Sequence, residues 1–321
     1  MLNIPRIRIN QAERREWCNL LSCDSGEQAV RIDNEEWLLK QAINAARMPV
    51  SVFSEIRQFR RNSQPAGALL IDRISTDHLQ LRPTPDRYGA FQKFASPEAA
   101  ALIAVGSILG EPIGYVEEKS GSLIHDIVPV PGYETTQSNA GSDEFDLHVE
   151  NAFHDHRPDF VLLLCVREDH RREAGLRLAP LRRALGLLRD STVATLFESR
   201  FRTAAPASFV ASHETPAHPV LSGALDDPDI RADMSVTTGV DNVASAALAE
   251  LWSVLGSITS VEKLKSGQIA IVDNRVTLHG RTGFTPQFDG ADRWLLRLFV
   301  KSDLRPSRSL RNGDARQVSS A

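Results

Sequence analysis

Between Asp146 and Phe153 the chain sets an imidazole and a carboxylate two residues apart inside an apolar run, Asp146-Leu147-His148-Val149-Glu150-Asn151-Ala152-Phe153. In extended backbone, side chains two apart leave the same face, so His148 and Glu150 can address one ion. A third donor, His279, ends a strand-like run from Ile271 and stands 129 residues after Glu150. Two histidines and one carboxylate form a facial triad that leaves coordination positions open, the pattern of non-haem Fe(II). A structural zinc site instead closes its shell with four ligands, usually including thiolates. Any fold that uses this triad must bring two stretches distant in sequence side by side.

Composition narrows the class. A chain of 321 residues with 42% hydrophobic and 24% charged residues is an ordinary globular protein with enough length for a sizeable core. A formal charge of −4 gives no electrostatic reason to expect nucleic acid or an anionic membrane. Cys18, Cys23 and Cys165 are odd in number and lack metal-binding spacing, which fits a reduced compartment. With no signal-peptide region and no apolar stretch near the ~18–20 residues of a membrane span, the expectation is a cytoplasmic protein.

Residues 1–95 read as mainly helical, with Asn34 capping the helix that follows it, a buried strand at Ala68–Asp72 and a loop at Pro83-Thr84-Pro85. Ser96-Pro97-Glu98 opens a helix from Ala99 to Leu109 that Gly110 ends, because N-cap, first-turn proline and first-turn acid agree. Short strands follow at Ile113–Glu118, Ile124–Val130 and Val161–Val166. Residues 171–200 are basic and helix-like and are expected to form a solvated helical insertion. Pro206–Val220 reads as strand and loop, Ala244–Ile258 as an amphipathic helix, and Ile269–Asp273 as a strand after the Ser266-Gly267 turn. Residues 304–321 are expected to be a loosely held polar tail. No linker divides the chain, so residues 1–321 are taken as one domain.

Arg293, Leu295, Arg297 and Phe299 share one face of a strand expected from Arg293 to Val300. Two guanidinium groups on an apolar face need anions, either ligand carboxylates or Asp289 and Asp292. Of the nine histidines, His154-Asp155-His156 is the one rival metal pair; His78, His125, His213 and His218 have no partner at useful spacing, and His170 sits in a charged loop. The sequence lacks a G-x-S-x-G elbow and both nucleotide-binding glycine loops.

His148-Val149-Glu150, Asp273-Asn274-Arg275 with His279-Gly280-Arg281, and Phe284-Thr285-Pro286 through Asp292-Arg293-Trp294-Leu295 resemble the clavaminate synthase-like Fe(II)/2-oxoglutarate oxygenases. Within these the chain is most similar to the free L-arginine and L-lysine hydroxylases. The resemblance covers about residues 100–300. It implies an α+β fold, a double-stranded β-helix or jelly-roll over residues 96–303 with flanking and inserted helices. It also implies Fe(II) on His148, Glu150 and His279, with 2-oxoglutarate and O2 as co-substrates. Arg293 is assigned the distal carboxylate of 2-oxoglutarate and Arg297 the substrate carboxylate. Glu118, Ser138, Glu150 and Asp233 fall where the amino-acid hydroxylases contact substrate.

Two departures stand out. The threonine that relatives place 26 residues after the first metal histidine, touching 2-oxoglutarate, is Ala174 here, and the second acid of their substrate-binding D-x-D pair is Ser235. The expected reaction is hydroxylation of an unactivated C–H of a free L-amino acid, arginine or lysine first. A neutral, cyclic-arginine-derived or carrier-bound amino acid is the alternative, with Glu118 and Asp233 then only solvated loop acids. A non-catalytic jelly-roll binding protein is the rival class. A homodimer stays open.

Overall fold

Helices gather at the start of the chain because capping and apolar spacing agree there. The computed structural model describes residues 2–21, 30–72, 82–205, 209 and 214–319; Cys23, His78, His213 and part of Pro206–Val220 lie outside them. After the short β1 (Arg6–Ile7) come α1 (Gln11–Leu21), α2 (Glu35–Ala46) and α3 (Val50–Arg61). The Asn34 side chain caps α2 by accepting from the Trp37 amide at 2.9 Å. β2 (Ala68–Ile71) leads through a loop to α4 (Pro97–Leu109), which Ser96 caps by accepting from the Ala99 amide. α4 is apolar all round and buried nearly all round, as a helix between other layers must be. Gly106 permits its seat, since a Cβ there would lie 2.7 Å from Leu298 Cδ2.

The chain then turns to strands: β3 (Glu111–Tyr115), β4 (Ile124–Ile127), β5 (Phe145–His148), β6 (Phe160–Arg167) and β7 (Leu176–Pro180). Short helices α5 (Leu181–Ala184) and α6 (Asp190–Leu196) precede β8 (Phe201–Thr203), β9 (Leu221–Gly223), β10 (Pro228–Ile230) and β11 (Thr237–Gly239). Next come α7 (Asn242–Ile258), capped by Asp241, then β12 (Ser260–Glu262), β13 (Ile269–Asp273), β14 (Thr277–Arg281), β15 (Trp294–Lys301) and β16 (Gln317–Val318).

Among the described residues eight strands form one mixed sheet in the order β1-β2-β13-β6-β15-β3-β16, with β4 also paired to β15; β12-β7-β14-β5 form a second. Alternation along β15 explains the layering. Trp294, Leu296, Leu298 and Val300 join α1–α4 in one core, while Leu295 and Phe299 face the second sheet and pack with Leu176 and Leu178 of β7. Leu147, Ala179 and Leu278, on the outer side of the second sheet, form a third core with α5, α6 and α7. The molecule is α+β, with helices on the outer side of two stacked sheets. Among the described residues no helix is long and apolar enough to cross a membrane.

Two expectations fail here. Residues 171–200 are not a solvated helical insertion: Leu176–Pro180 is β7, paired on one edge with β14 and on the other with β12. The alternation Leu176, Leu178 was hidden among arginines that point the other way or lie outside the strand. The tail is not loose either. β16 runs parallel to β3, Val318 is buried, and Arg316 bridges Glu35 and Glu111.

Candidate active site

Strand pairing solves the problem of the distant third donor. In the antiparallel β5–β14 ladder His148 and His279 are direct partners, and their rings lie 4.5 Å apart between centroids. Gly280 lets the two strands close up, because a Cβ there would sit 2.5 Å from the Phe145 carbonyl oxygen. Glu150 lies just past the end of β5, in a turn where Asn151 takes φ +53°, so the extended stretch expected through Phe153 ends early. What fixes Glu150 is Asn274. Its buried side chain accepts from the Glu150 amide at 2.7 Å and donates to the carbonyl oxygens of Glu150 and Pro158.

The ligand atoms of His148, Glu150 and His279 lie within 4.8 Å of one another, and all three residues are buried. His148 Nδ1 lies 2.8 Å from the Asp146 carbonyl, a contact that needs a proton on Nδ1 and makes Nε2 the nitrogen that would face a metal. His279 Nε2 is 3.5 Å from Glu150 Oε1. Burial lowers the His279 pKa, with the neighbouring His148 adding to the effect, so its ring is neutral and able to ligate. Burial alone raises the Glu150 pKa, but Arg297, then His279 and His148, bring it far below the carboxylate range. Two imidazoles and one carboxylate are a donor set that suits Fe(II).

Arg297 organises the next layer. Its Nη1 donates to both Glu150 oxygens at 2.8 and 3.0 Å, and its Nη2 donates to Glu118 Oε1 at 2.5 Å and His125 Nδ1 at 2.8 Å. The guanidinium carbon stands 4.3 Å from the Phe299 ring centroid. Glu118 is thus committed to Arg297, and burial raises its pKa against the pull of that charge.

Arg293 is different. It is buried, its guanidinium carbon lies 5.7 Å from the Phe284 ring centroid, and among the described residues it has no hydrogen bond or ion pair. The ion pairs considered with Asp289 and Asp292 do not form; those acids face His170, at 3.1 and 3.8 Å. Arg281 lies close by, its guanidinium carbon 5.4 Å from the same ring. Burial, and secondly the charge of Arg293, push the Arg281 pKa down to about 9.

A cavity of about 670 Å³ opens beside the triad, lined by His148, Glu150, Arg297, Glu118, Ser138 and Asp233 among others. Asp233 bridges to His148 through the backbone, and its Oδ1 accepts from the Ser235 amide and hydroxyl at 2.8 and 2.6 Å. Ser138 Oγ lies 2.8 Å from Thr136 Oγ1. Thus His148, Glu150, Glu118, Ser138, Asp233 and Arg297 share one cavity, while Arg293 stands apart from its lining. Among the described residues the His154–His156 pair does not gather a third donor: His154 Nε2 turns to the Ser319 carbonyl. A second cluster, His170 with Asp289 and Asp292, comes together on the surface instead.

Sequence reasoning missed His125, Asn139, Asn274 and Arg281 as parts of the site. Asn274 and Arg281 were in view within the motif, without a role. His125 and Asn139, 3.4 Å from Arg297 Nη1, carry no spacing signal at all.

Comparison with known proteins agrees with this geometry. Residues 91–299 match the Taurine catabolism dioxygenase TauD, TfdA family. The chain is 48% identical to L-asparagine oxygenase of Streptomyces coelicolor over 88% of its length and 86% of the relative's. It is 32% identical to clavaminate synthase 2 of Streptomyces clavuligerus, over 85% and 86% of the two chains. With L-lysine 3-hydroxylase of Catenulispora acidiphila the identity is 33%, over 86% and 78%. The solved structure of asparagine oxygenase with Fe(II), (2S,3S)-3-hydroxyasparagine and succinate superposes with a TM-score of 0.93 at 43% identity, covering 98% of this chain and 99% of that one. Two facing sheets, a buried His–Glu–His cluster and these similarities lead to one conclusion: the chain belongs to the TauD/TfdA family, in its clavaminate synthase-like branch of Fe(II)/2-oxoglutarate-dependent dioxygenases.

Proposed function

We propose that this enzyme hydroxylates a C–H of a free L-amino acid, with Fe(II) held by His148, Glu150 and His279. The observation that carries the reading is the convergence of three buried ligand atoms beside a cavity whose walls bear both a guanidinium and carboxylates. The two stacked sheets are read as a double-stranded β-helix, and residues 1–321 as one domain. When bound, the iron supplies the oxidative chemistry in which O2 and 2-oxoglutarate are consumed, succinate and CO2 leave, and substrate C–H becomes C–OH. The protein binds and orients. Arg293 takes the distal carboxylate of 2-oxoglutarate, since a buried guanidinium without a protein anion needs a ligand one. Arg297, fixed by Glu118, Glu150 and His125, presents its charge to the substrate carboxylate, and Glu118 and Glu150 offer acceptors to the ammonium. Ser138 and Asp233 meet the remainder of the substrate.

The side chain follows from Asp233. For a cationic head group the sequence offered two acids, Glu118 and Asp233, but Glu118 faces Arg297 at 2.5 Å. That leaves one carboxylate, with Ser235 where relatives place a second. A carboxamide N–H needs one acceptor, whereas a buried cation needs compensating charge. Together with the 48% identity to an asparagine oxygenase, this favours the neutral alternative: asparagine first, lysine and arginine after it. A screen of free amino acids for substrate-dependent succinate release tests the reading. Asparagine should give the highest kcat/KM; a higher value for lysine or arginine reverses the order, and no stimulation by any amino acid removes the proposed reaction.

A further inference from the structure

A second guanidinium, that of Arg281, lies beside Arg293 and has no part in the proposed reaction. Arg281 lies on β14 two residues after His279, so both side chains leave the same face of that strand. It is 5% exposed, stacks 5.8 Å from the Phe145 ring and 5.4 Å from the Phe284 ring, and donates from Nη2 to the Asp143 carbonyl at 2.8 Å. Its Nε is buried and has no acceptor among the described residues. Among the described residues no carboxylate pairs with Arg281 or with Arg293. Two buried like charges beside one phenyl ring repel each other, and Asp143 and Asp169 offset them only from a distance, without a direct ion pair among the described residues. The neighbourhood is also where the usual hydroxyl is missing: Ala174 carries none, and its amide is turned to Asp169 Oδ1 at 3.1 Å.

We infer that Arg281 is a second guanidinium for the distal carboxylate of 2-oxoglutarate, working beside Arg293 and replacing the absent threonine contact. The inference rests on the reading of Arg293 as the co-substrate anchor. A dianion with its far carboxylate between two guanidiniums satisfies the orphan Nε–H and removes the repulsion in one step. The alternative is that Arg281 only props the Asp143 carbonyl, holding β5 against β14.

The test uses the full chain loaded with Fe(II) under anaerobic conditions, titrated calorimetrically with 2-oxoglutarate. Wild type is compared with Arg281→Gln, Arg281→Lys and Arg293→Lys, and Fe(II) affinity and thermal midpoint are measured for each. Both Arg281 variants should raise the Kd for 2-oxoglutarate on the order of ten- to hundredfold, the usual range for losing a hydrogen bond to a charged group, with Fe(II) affinity unchanged. Arg281→Lys keeps charge and length, so a loss there isolates the planar fork. If Fe(II) and 2-oxoglutarate weaken together in the Arg281 variants, the residue is a prop and the inference falls. If Arg293→Lys weakens 2-oxoglutarate and neither Arg281 variant does, the inference falls while the co-substrate reading stands. If no variant weakens it, that reading falls as well.

Discussion

His125 should make this protein acid-sensitive by a calculable amount. The residue is 1% exposed, with Nδ1 accepting from Arg297 at 2.8 Å and Nε2 lying 3.0 Å from the Ser122 carbonyl. A guanidinium only donates, so Nδ1 must keep its lone pair and Nε2 must carry the proton. Burial, then the charges of Arg297 and Lys119, hold the His125 pKa well below 6.5. Below pH 6.5 the unfolded chain therefore takes up a proton that the folded chain refuses. The stability contributed by neutral His125 is complete above that pH and is lost as pH falls. At pH 5.5 the loss is about 1.4 kcal/mol, one pH unit of one proton. Other buried histidines, His154 and His218 among them, add to the slope of the wild type, so the assay must be a difference. His125→Gln keeps an acceptor for Arg297 and a donor for Ser122. Urea unfolding of both proteins with chelator, at pH 7.5 and 5.5, should show their stability difference moving by about 1.4 kcal/mol in the variant's favour at the lower pH. An equal pH slope in both proteins would refute the neutral buried tautomer.

Alanine at His148, Glu150 or His279 should abolish turnover and Fe(II) binding while circular dichroism stays native; iron stoichiometry near one in an active variant removes that residue from the triad. Arg293→Lys should weaken 2-oxoglutarate about tenfold or more and leave Fe(II) affinity alone, because an ammonium cannot make the paired contact. Ser235→Asp should raise kcat/KM for lysine or arginine relative to asparagine by about tenfold or more, since it gives a cationic head group a second carboxylate and takes a hydroxyl donor from Asp233. An unchanged ratio between the amino acids places the side-chain end of the pocket elsewhere.

The parts of this molecule legible in the sequence are those where one local rule decides. Asn34 and Ser96 mark helix starts because each satisfies an amide three residues on. β15 shows its two faces by alternation alone. His148, Glu150 and His279 are legible as candidates because their side chains are donors that suit Fe(II), and the fold brings the three together. β7 was not legible: Leu176 and Leu178 face the second core and Ala179 the third, in a stretch whose arginines dominate any hydropathy reading. Nor was the commitment of Glu118, which depends on Arg297 reaching it from 179 residues away. His125 had no partner in sequence because its partner belongs to a strand that pairs with its own: β4 places His125 opposite Arg297 across the β15 ladder.

Charge explains why the site is divided as it is. On the substrate side, Glu118 and Glu150 bring −2 and Arg297 brings +1, a sum of −1 in a buried space. On the other side Arg281 and Arg293 bring +2, with Asp169 near but bonded to the amides of Glu173 and Ala174. Fe(II) and doubly ionised 2-oxoglutarate together would add zero, and on the proposed reading each would meet the opposite charge, the cation at Glu150 and the dianion's far end at the arginine pair. A zwitterionic amino acid then adds nothing to the total. A basic side chain adds +1 at Asp233, and a carboxamide adds none. On the proposed reading a cationic side chain would have the single half-buried Asp233 as its counter-charge, Glu118 being committed to Arg297, whereas a carboxamide needs only an acceptor there.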